Sequence, residues 1–247
     1  MHPILFKIGN FSIYTYGLFV TLGIFVTASL ILRNRRRKGI SSYSLLDLFI
    51  VVILSGILGG RIVHILVYLP YYLRHPVKIL LFRQGGLAIQ GALIFGLAGA
   101  VIYLFRKRKT LPPLKTLDLI SLYMPVGQAI GRIGCFLNGC CYGKPSSLPW
   151  AVKFPLLQGS IHPTQIYYFL SNLTIFLILS LFYHHKKDGE VICLYFFLYS
   201  VSRYNIDFLR GDLSPSFIPL YSTQVFAFIL ALISAVFLLY FHFRRAK

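Results

Sequence analysis

The sequence contains few acidic residues: among 247 residues, 6 Asp and Glu stand against 25 Lys and Arg, which gives a formal net charge of +19. Charged residues of both signs make up only 13% of the chain, whereas a soluble domain has about 25%. At 57% apolar residues and a mean hydropathy of +0.72, one soluble domain could not bury so much apolar surface. This argues against a soluble enzyme, and the 16% aromatic content argues against a disordered chain.

Cysteine is also scarce, with 4 residues that form neither a CxxC pair nor a zinc-type spacing. We therefore expect no metal and no cofactor, and we do not expect the adjacent Cys140 and Cys141 to ligate one ion without strain. Cys135, Cys140 and Cys141 are predicted near the outer membrane face as small apolar residues. Redox activity, soft-metal ligation and lipid modification are the alternatives for these cysteines.

Long apolar runs predict an all-α, polytopic membrane protein with about seven transmembrane helices. The predicted spans are residues 12–32, 45–69, 86–105, 117–137, 164–183, 190–209 and 220–243. Neither a repeat nor a soluble domain interrupts them, so one integral membrane domain is expected over residues 1–247. The chain start lacks a charged segment followed by a cleavable apolar core, so no signal peptide is expected.

The basic residues predict that the N-terminus lies outside and the C-terminus lies in the cytoplasm. In this orientation 15 of the 25 Lys and Arg fall in the inner segments 33–38, 106–115, 186–187 and 244–247, against 7 in the outer segments. Cytoplasmic loops that contact anionic lipid headgroups account for the positive charge. We therefore expect membrane lipids, and no nucleic acid, as partners.

Three further arginines, Arg61, Arg132 and Arg203, fall inside or at the ends of apolar segments. An arginine at bilayer depth costs about 2.5–3.5 kcal/mol even on the mildest scale, so it usually has a polar partner. A structural ion pair or a snorkelling side chain is one explanation. The other is ligand binding, because the guanidinium fork matches a phosphate, and the abundant phosphate ester in a membrane is a phospholipid headgroup.

The neighbours of these arginines are informative. Glycines precede Arg61 and flank Arg132 on both sides, which permits close approach of a backbone or a ligand. Asp207 follows Arg203 by four residues and precedes Arg210 by three, so all three share one helix face. Asp207 either neutralises Arg203 or orients its guanidinium toward a ligand, and both can hold together.

Other polar or small residues are predicted at the outer side of the membrane. Tyr16 begins the first span and could belong to an aromatic belt, and the small residues of 85–92 favour tight helix packing. The run His162-Pro163-Thr164-Gln165 is typical of a helix start with Thr164 as a cap. His162 could instead carry a proton or donate a hydrogen bond.

Taken together, these stretches resemble the prolipoprotein diacylglyceryl transferase family of the bacterial inner membrane. The resemblance runs in order along nearly the whole chain, through Tyr16-Gly17, Gly59-Gly60-Arg61, Gly85-Gly86-Leu87, Gly131-Arg132-Ile133-Gly134 with Asn138-Gly139, His162-Pro163-Thr164-Gln165, and Arg203, Asp207 and Arg210. It implies transfer of a diacylglyceryl group from phosphatidylglycerol to the thiol of a lipobox cysteine in a secreted prolipoprotein. The products are a thioether and glycerol phosphate.

The resemblance also implies roles for individual residues. Arg132 and Arg203 are expected to be catalytic. The expected substrate-binding residues are Tyr16, Arg61, Gln90, Asn138, His162, Asp207 and Arg210.

The chain departs from the family pattern at several polar positions. Gln90-Gly91-Ala92 stands where many members have His-Gly-Gly, and glutamine cannot accept the proton that this histidine is proposed to take. Cys135 and Cys140 stand where Asn and Glu are common, and Tyr168 stands in place of a frequent Glu. Two alternatives therefore stay open: a paralogue with another acceptor, and a non-catalytic phospholipid- or anion-binding transport protein.

Overall fold

A computed structural model describes residues 4–8, 11–35, 39–81, 86–155, 157–184, 187–213 and 221–243. These residues are predominantly α-helical, which confirms the all-α class. The helices are α1 (Thr15–Asn34), α2 (Ser42–Val67), α3 (Leu69–Arg74), α4 (Ile89–Arg106), α5 (Pro113–Asn138), α6 (Thr164–Phe182), α7 (Glu190–Asp207) and α8 (Ser222–Phe243). A 3-10 helix covers Pro76–Leu80, and two antiparallel strand pairs join β1 (Ile4–Ile8) to β2 (Phe11–Tyr14) and β3 (Val152–Lys153) to β4 (Ser160–Ile161).

Each of the seven predicted apolar segments coincides with one of the longer helices. In the described parts of the chain, four helices (α1, α2, α6 and α8) are long and apolar enough to cross a membrane, and α4 is a shorter apolar helix. Two others, α5 and α7, carry the arginines and aspartates discussed below, which lower their hydropathy. The structure is thus that of a helical protein with membrane-spanning segments, and seven spans with an outer N-terminus stay a prediction.

Several positions used in the predictions lie outside the described residues. They are Met1 to Pro3, Arg36, Arg37, Lys38, Arg83, Gly85, Lys186, residue 220, Arg244, Arg245 and Lys247.

The described chain divides into two compact units, one of Met1–Arg33 with Leu117–Lys247 and the other of Asn34–Thr116. The single domain predicted over residues 1–247 stays a prediction. In the second unit, α2 packs on α4 through glycines. A Cβ on Gly59 would lie 2.7 Å from the Gly91 carbonyl oxygen, and a Cβ on Gly91 would lie 2.4 Å from that of Gly59. The two backbones therefore touch, which confirms the predicted tight packing at Gly91.

In the first unit, glycines also let α1 approach α5. A Cβ on Gly23 would lie 2.7 Å from the Gly127 carbonyl oxygen, and one on Gly134 would lie 2.8 Å from Phe19 Cβ. Since Gly134 is two residues beyond Arg132, this contact brings the start of α1 to the arginine-bearing end of α5.

The first unit also contains α6, α7 and α8, with α7 packed against both of the others. The N-terminus of α7 is capped by Asp118, a buried residue of α5. The Asp118 carboxylate accepts hydrogen bonds from the backbone N–H of Gly189 at 2.6 Å and of Ile192 at 2.9 Å. This cap satisfies donors that the first helical turn leaves unpaired and places negative charge at the positive end of the helix dipole.

Candidate active site

The candidate site is built around Asp207, the last residue of α7, whose side chain is fully buried. Its carboxylate accepts hydrogen bonds from two hydroxyls, Tyr168 of α6 at Oδ1 and Thr223 of α8 at Oδ2, the latter at 2.6 Å. Two guanidiniums flank it, with Arg203 Nε 3.6 Å from Oδ2 and Arg210 Nη1 3.6 Å from Oδ1. The buried charge is therefore compensated on both oxygens.

Arg203 is the more accessible of these two arginines. Its Nη1 donates to the Tyr199 hydroxyl at 3.1 Å, and 25% of its side chain is exposed. It borders a cavity of about 280 Å³ between α7 and α8, whose lining also includes Thr223, Phe226 and Leu230. The cavity thus places a guanidinium and hydroxyls beside an apolar wall, an arrangement that suits an amphiphilic ligand.

Arg210 has its fork filled by a second carboxylate. Its Nε and Nη2 donate to Asp212 Oδ1 and Oδ2 at 2.9 and 2.7 Å, a bidentate pair. Burial opposes the charge of Arg210, but the hydrogen bonds to Asp212 and the negative charges around the guanidinium together raise its pKa. Its backbone bridges to Gly143, so Arg210 fastens the end of α7 to the loop that follows α5.

Arg132 lies on α5 and stacks on the same tyrosine that binds Asp207. Its guanidinium carbon is 4.1 Å from the centroid of the Tyr168 ring, a cation–π contact. Within the described parts of the chain, no hydrogen bond or ion pair is formed by the Arg132 side chain. The N–H donors of this half-buried guanidinium are therefore available to a ligand.

Tyr16, the second residue of α1, is 43% exposed. Its phenol interacts electrostatically with Arg132 and with the thiols of three cysteines. The contact between α1 and α5 at Gly134 explains this proximity. Tyr16 and Arg132 therefore lie in one neighbourhood.

The three cysteines form a compact cluster at the end of α5. The sulfur atoms of Cys135, Cys140 and Cys141 all lie within 4.8 Å of one another. Hydrogen bonds from the other two cysteines, and from the side chain of Asn138, lower the pKa of the Cys140 thiol, although burial opposes this effect. Asn138, a predicted substrate-binding residue, is thus a partner of the cysteine cluster.

The run beginning at His162 holds the loop that carries these cysteines. Thr164 Oγ1 donates to the Cys141 carbonyl at 2.5 Å, and Gln165 Nε2 donates to the Cys140 carbonyl at 2.7 Å. The predicted cap at Thr164 is wrong, because α6 begins at Thr164, Pro163 is its N-cap residue, and no side chain makes a capping hydrogen bond there. The Thr164 hydroxyl is instead used by the cysteine loop.

His162 itself faces an aromatic pair. Its Nδ1 is 3.2 Å from the Tyr167 hydroxyl, which also accepts a hydrogen bond of 2.8 Å from Trp150 Nε1. The His162 backbone N–H donates to the Lys144 carbonyl at 3.0 Å. His162 therefore belongs to the same loop system that Arg210 and Thr164 hold in place.

Arg61 and Gln90 belong to the other unit. Arg61 is 4% exposed, and its guanidinium donates hydrogen bonds to backbone carbonyls. Nε donates to the Ile79 carbonyl at 3.1 Å, Nη1 donates to the Gly86 carbonyl at 3.1 Å, and Nη2 donates to the Lys78 carbonyl. It therefore anchors the connection between α3 and α4. Gln90 is the second residue of α4 and is exposed.

Three contributors to the site were not identified from the sequence. Tyr168 appeared there only as a departure from a family pattern, although its position four residues after Thr164 places both on one face of α6. Thr223 and Tyr199 carry no sequence signal that links them to Asp207 or Arg203.

Comparison with known proteins supports the resemblance. The sequence model of the prolipoprotein diacylglyceryl transferase family matches residues 3–240. Three relatives are each named phosphatidylglycerol–prolipoprotein diacylglyceryl transferase. The protein of Clostridium tetani is 37% identical over 244 residues, with 96% of each chain covered. That of Clostridioides difficile is 35% identical, covering 86% of this chain and 84% of the relative. That of Thermotoga maritima is 34% identical, covering 84% and 74%. Since the family match extends over nearly the whole length, this chain belongs to the prolipoprotein diacylglyceryl transferase family.

Proposed function

We propose that this protein transfers the diacylglyceryl group of phosphatidylglycerol to the thiol of a lipobox cysteine in secreted prolipoproteins. The thiol sulfur forms a bond to the glyceryl carbon while the bond from that carbon to the phosphate oxygen breaks. The thiol proton passes to solvent, and glycerol phosphate leaves with the electron pair of the broken bond. The observation that carries the proposal is the guanidinium of Arg132, which stacks on Tyr168 beside the buried Asp207 network and has no hydrogen-bond partner among the described residues.

In this reaction Arg132 binds the phosphate of the lipid. Negative charge grows on the phosphate as the carbon–oxygen bond breaks, and a preorganised cation stabilises that charge. Stacking on Tyr168 fixes the plane of the guanidinium, and the hydrogen bond from Tyr168 to Asp207 fixes the ring in turn. The geometry is thus set before the substrate binds.

Arg203 supplies the second catalytic cation. Asp207 and Tyr199 hold it at the edge of the cavity between α7 and α8, where the apolar wall accommodates part of the lipid. Asp207 acts as a positioning residue, because it is fully buried and acts on the substrate through Arg203 and Tyr168.

The remaining predicted residues divide into contact and positioning roles. Tyr16 and Asn138 line the reaction neighbourhood with the cysteine cluster, and His162 lies in the loop beside them. Arg61 and Arg210 are positioning residues, because protein groups already occupy their guanidiniums. Arg61 binds backbone carbonyls, and Arg210 binds Asp212. Gln90 contacts substrate without taking a proton.

The proposed setting is the bacterial cytoplasmic membrane, crossed by about seven helices with the N-terminus outside. The exposed apolar side chains of these helices, such as Leu58, Leu177 and Phe105, suit contact with lipid chains. The precursor would then reach the site from the outer face, where lipobox cysteines emerge after secretion.

The test uses the purified full-length protein in micelles that contain phosphatidylglycerol, with a lipobox peptide as acceptor. Release of glycerol phosphate is measured together with the peptide mass. We expect release coupled to a diacylglyceryl mass gain, and neither with a peptide that has serine in place of cysteine. If a folded preparation gives no mass gain while a known family member is active in parallel, the proposed transfer is refuted. A phosphatidylglycerol-dependent product without peptide would point to another acceptor.

A further inference from the structure

We propose that Cys135, Cys140 and Cys141 form a three-thiolate site for a thiophilic metal ion, tested here as zinc(II), with one coordination position open. The three sulfur atoms lie within 4.8 Å of one another. In a tetrahedral site with zinc–sulfur bonds of about 2.3 Å, the sulfur atoms are about 3.8 Å apart. The three sulfur atoms therefore lie within about 1 Å of the spacing that one ion requires.

The backbone of the cysteine loop is shaped for this convergence. Gly139 and Cys141 both have a left-handed conformation, with φ of 78° and 59°, and Cys141 is the one non-glycine residue with positive φ in the described ranges. The sequence predicts no metal here, because two adjacent cysteines are not expected to ligate one ion without strain; the left-handed conformation of Cys141 is a strained backbone at this position. A strained backbone persists only where its surroundings enforce it, and such strain often marks a functional site.

Two fully buried side chains enforce the conformation. Thr164 and Gln165, each 0% exposed, hold the carbonyls of Cys141 and Cys140 by hydrogen bonds of 2.5 and 2.7 Å. Outer partners of this kind orient ligands and stabilise thiolate charge in metal sites.

The charge balance also suits a metal–thiolate group. Binding of a divalent ion to three thiols releases three protons and leaves a net charge of −1. Arg132 lies in the same neighbourhood, since Tyr16 interacts electrostatically both with it and with all three thiols. A guanidinium near the cluster compensates that negative charge.

Two simpler roles fit the cluster less well. A disulfide joins only two sulfurs, at about 2.05 Å, and leaves the third cysteine unused. A purely apolar role requires neither the strained conformation of Cys141 nor the half-exposed positions of Cys140 and Cys141. A metal ion uses all three thiols at once.

The open position has a chemical use that rests on the proposed transferase activity. Three protein ligands with a free fourth position are typical of catalytic metal sites. The acceptor thiol of the prolipoprotein would bind there as a thiolate and lose its proton to solvent. Its sulfur then attacks the glyceryl carbon, and the departing glycerol phosphate is held by Arg132. This deprotonation would serve in place of the base that is absent at Gln90.

The first test measures zinc by mass spectrometry of the purified, full-length protein produced with added zinc. We expect one zinc per chain in the parent protein and in the control variant Cys193→Ser, because Cys193 lies outside the cluster. Cys140→Ser and Cys141→Gly should each lose the zinc. Glycine fits the left-handed backbone, so loss of zinc from a folded Cys141→Gly variant cannot be assigned to misfolding.

The proposal is overturned if the parent protein holds no zinc and alkylation finds the three thiols free, or finds two of them joined in a disulfide. It is equally overturned if Cys141→Gly and Cys140→Ser retain the zinc. Transfer activity is measured on the same preparations. An active protein without metal refutes the metal site and supports the transferase function. A zinc-loaded protein without activity supports the metal site and refutes the transferase function.

A second measurement tests the open position without turnover. Cobalt(II) in place of zinc makes thiolate coordination visible in the absorption spectrum. In the absence of phosphatidylglycerol, a lipobox peptide should increase the thiolate-to-cobalt absorption, and a peptide with serine in place of cysteine should not. Identical spectra with the two peptides would overturn the acceptor role.

Discussion

Arg61 and Arg132 have similar sequence surroundings but opposite environments in the structure. Both follow glycine in an apolar helix, yet Arg61 is 4% exposed and donates to the carbonyls of Ile79 and Gly86, while Arg132 stacks on Tyr168. An arginine whose donors all meet backbone carbonyls stabilises the fold. An arginine that stacks on an aromatic ring can still donate hydrogen bonds from its guanidinium to a ligand. The difference lies in the partners, and a glycine–arginine motif does not specify them.

The sharpest test of this difference is Arg132→Ala. Loss of the phosphate-binding guanidinium should lower transfer to a lipobox peptide by at least about 100-fold, as removal of one oxyanion donor does in other enzymes. The unfolding temperature should change little, because no ion pair is lost with Arg132 in the described residues. Near-normal turnover in membranes would contradict the assignment of Arg132.

A substitution at Arg203 separates fork geometry from charge. Arg203→Lys keeps the charge but cannot contact Tyr199, Asp207 and a phosphate together, so we expect turnover to fall by at least about tenfold. Arg210→Lys is the matched control, since its fork already serves Asp212 and a weaker effect on turnover should follow. Equal losses in the two variants would mean that the fork geometry matters equally at both positions, and unchanged turnover of Arg203→Lys would mean that charge alone is sufficient there.

Arg61→Ala should act mainly on stability. Each buried carbonyl left without a partner costs about 1–3 kcal/mol, so we expect a lower unfolding temperature and a smaller yield of folded protein. The turnover of the folded fraction should fall less than in Arg132→Ala. Arg74→Ala, an exposed arginine of the same unit, is the control and should leave stability unchanged. If Arg61→Ala folds normally and is inactive, Arg61 contacts the substrate.

The seven longer helices were predictable from the sequence because each follows a long, mainly apolar run, and four of them are long and apolar enough to cross a membrane. All seven predicted segments match helices, with boundaries that differ by a few residues. The proximity of Arg203 and Arg210 to Asp207 was also predictable from helical spacing, and the two ion pairs of Asp207 confirm it. The predicted common helix face is wrong for Arg210, because α7 ends at Asp207 and Arg210 lies beyond that end.

The partners that complete the site were not predictable, because they are distant in sequence. Tyr168 and Thr223 reach Asp207 from two other helices, and Asp118 caps α7 from α5. Thr164 illustrates the opposite case: a local motif indicated a helix cap, but a carbonyl from the cysteine loop binds the hydroxyl instead. A short polar side chain is satisfied by whichever partner the tertiary structure supplies, so its local pattern is a weak guide.

The smallest effect is expected from Gln90→His, at an exposed residue in the first turn of α4, in the same unit as Arg61. Histidine has room there and restores the side chain that many family members have, so the unfolding temperature should not change and turnover should be equal or higher. Gln90→Ala is the control, because it removes the amide without adding a base. A gain with histidine and none with alanine would show that proton transfer limits the reaction in the parent protein. An inactive or unfolded Gln90→His variant would show that this region differs from the family pattern in more than one residue, and Arg61 would then have to be reconsidered with it.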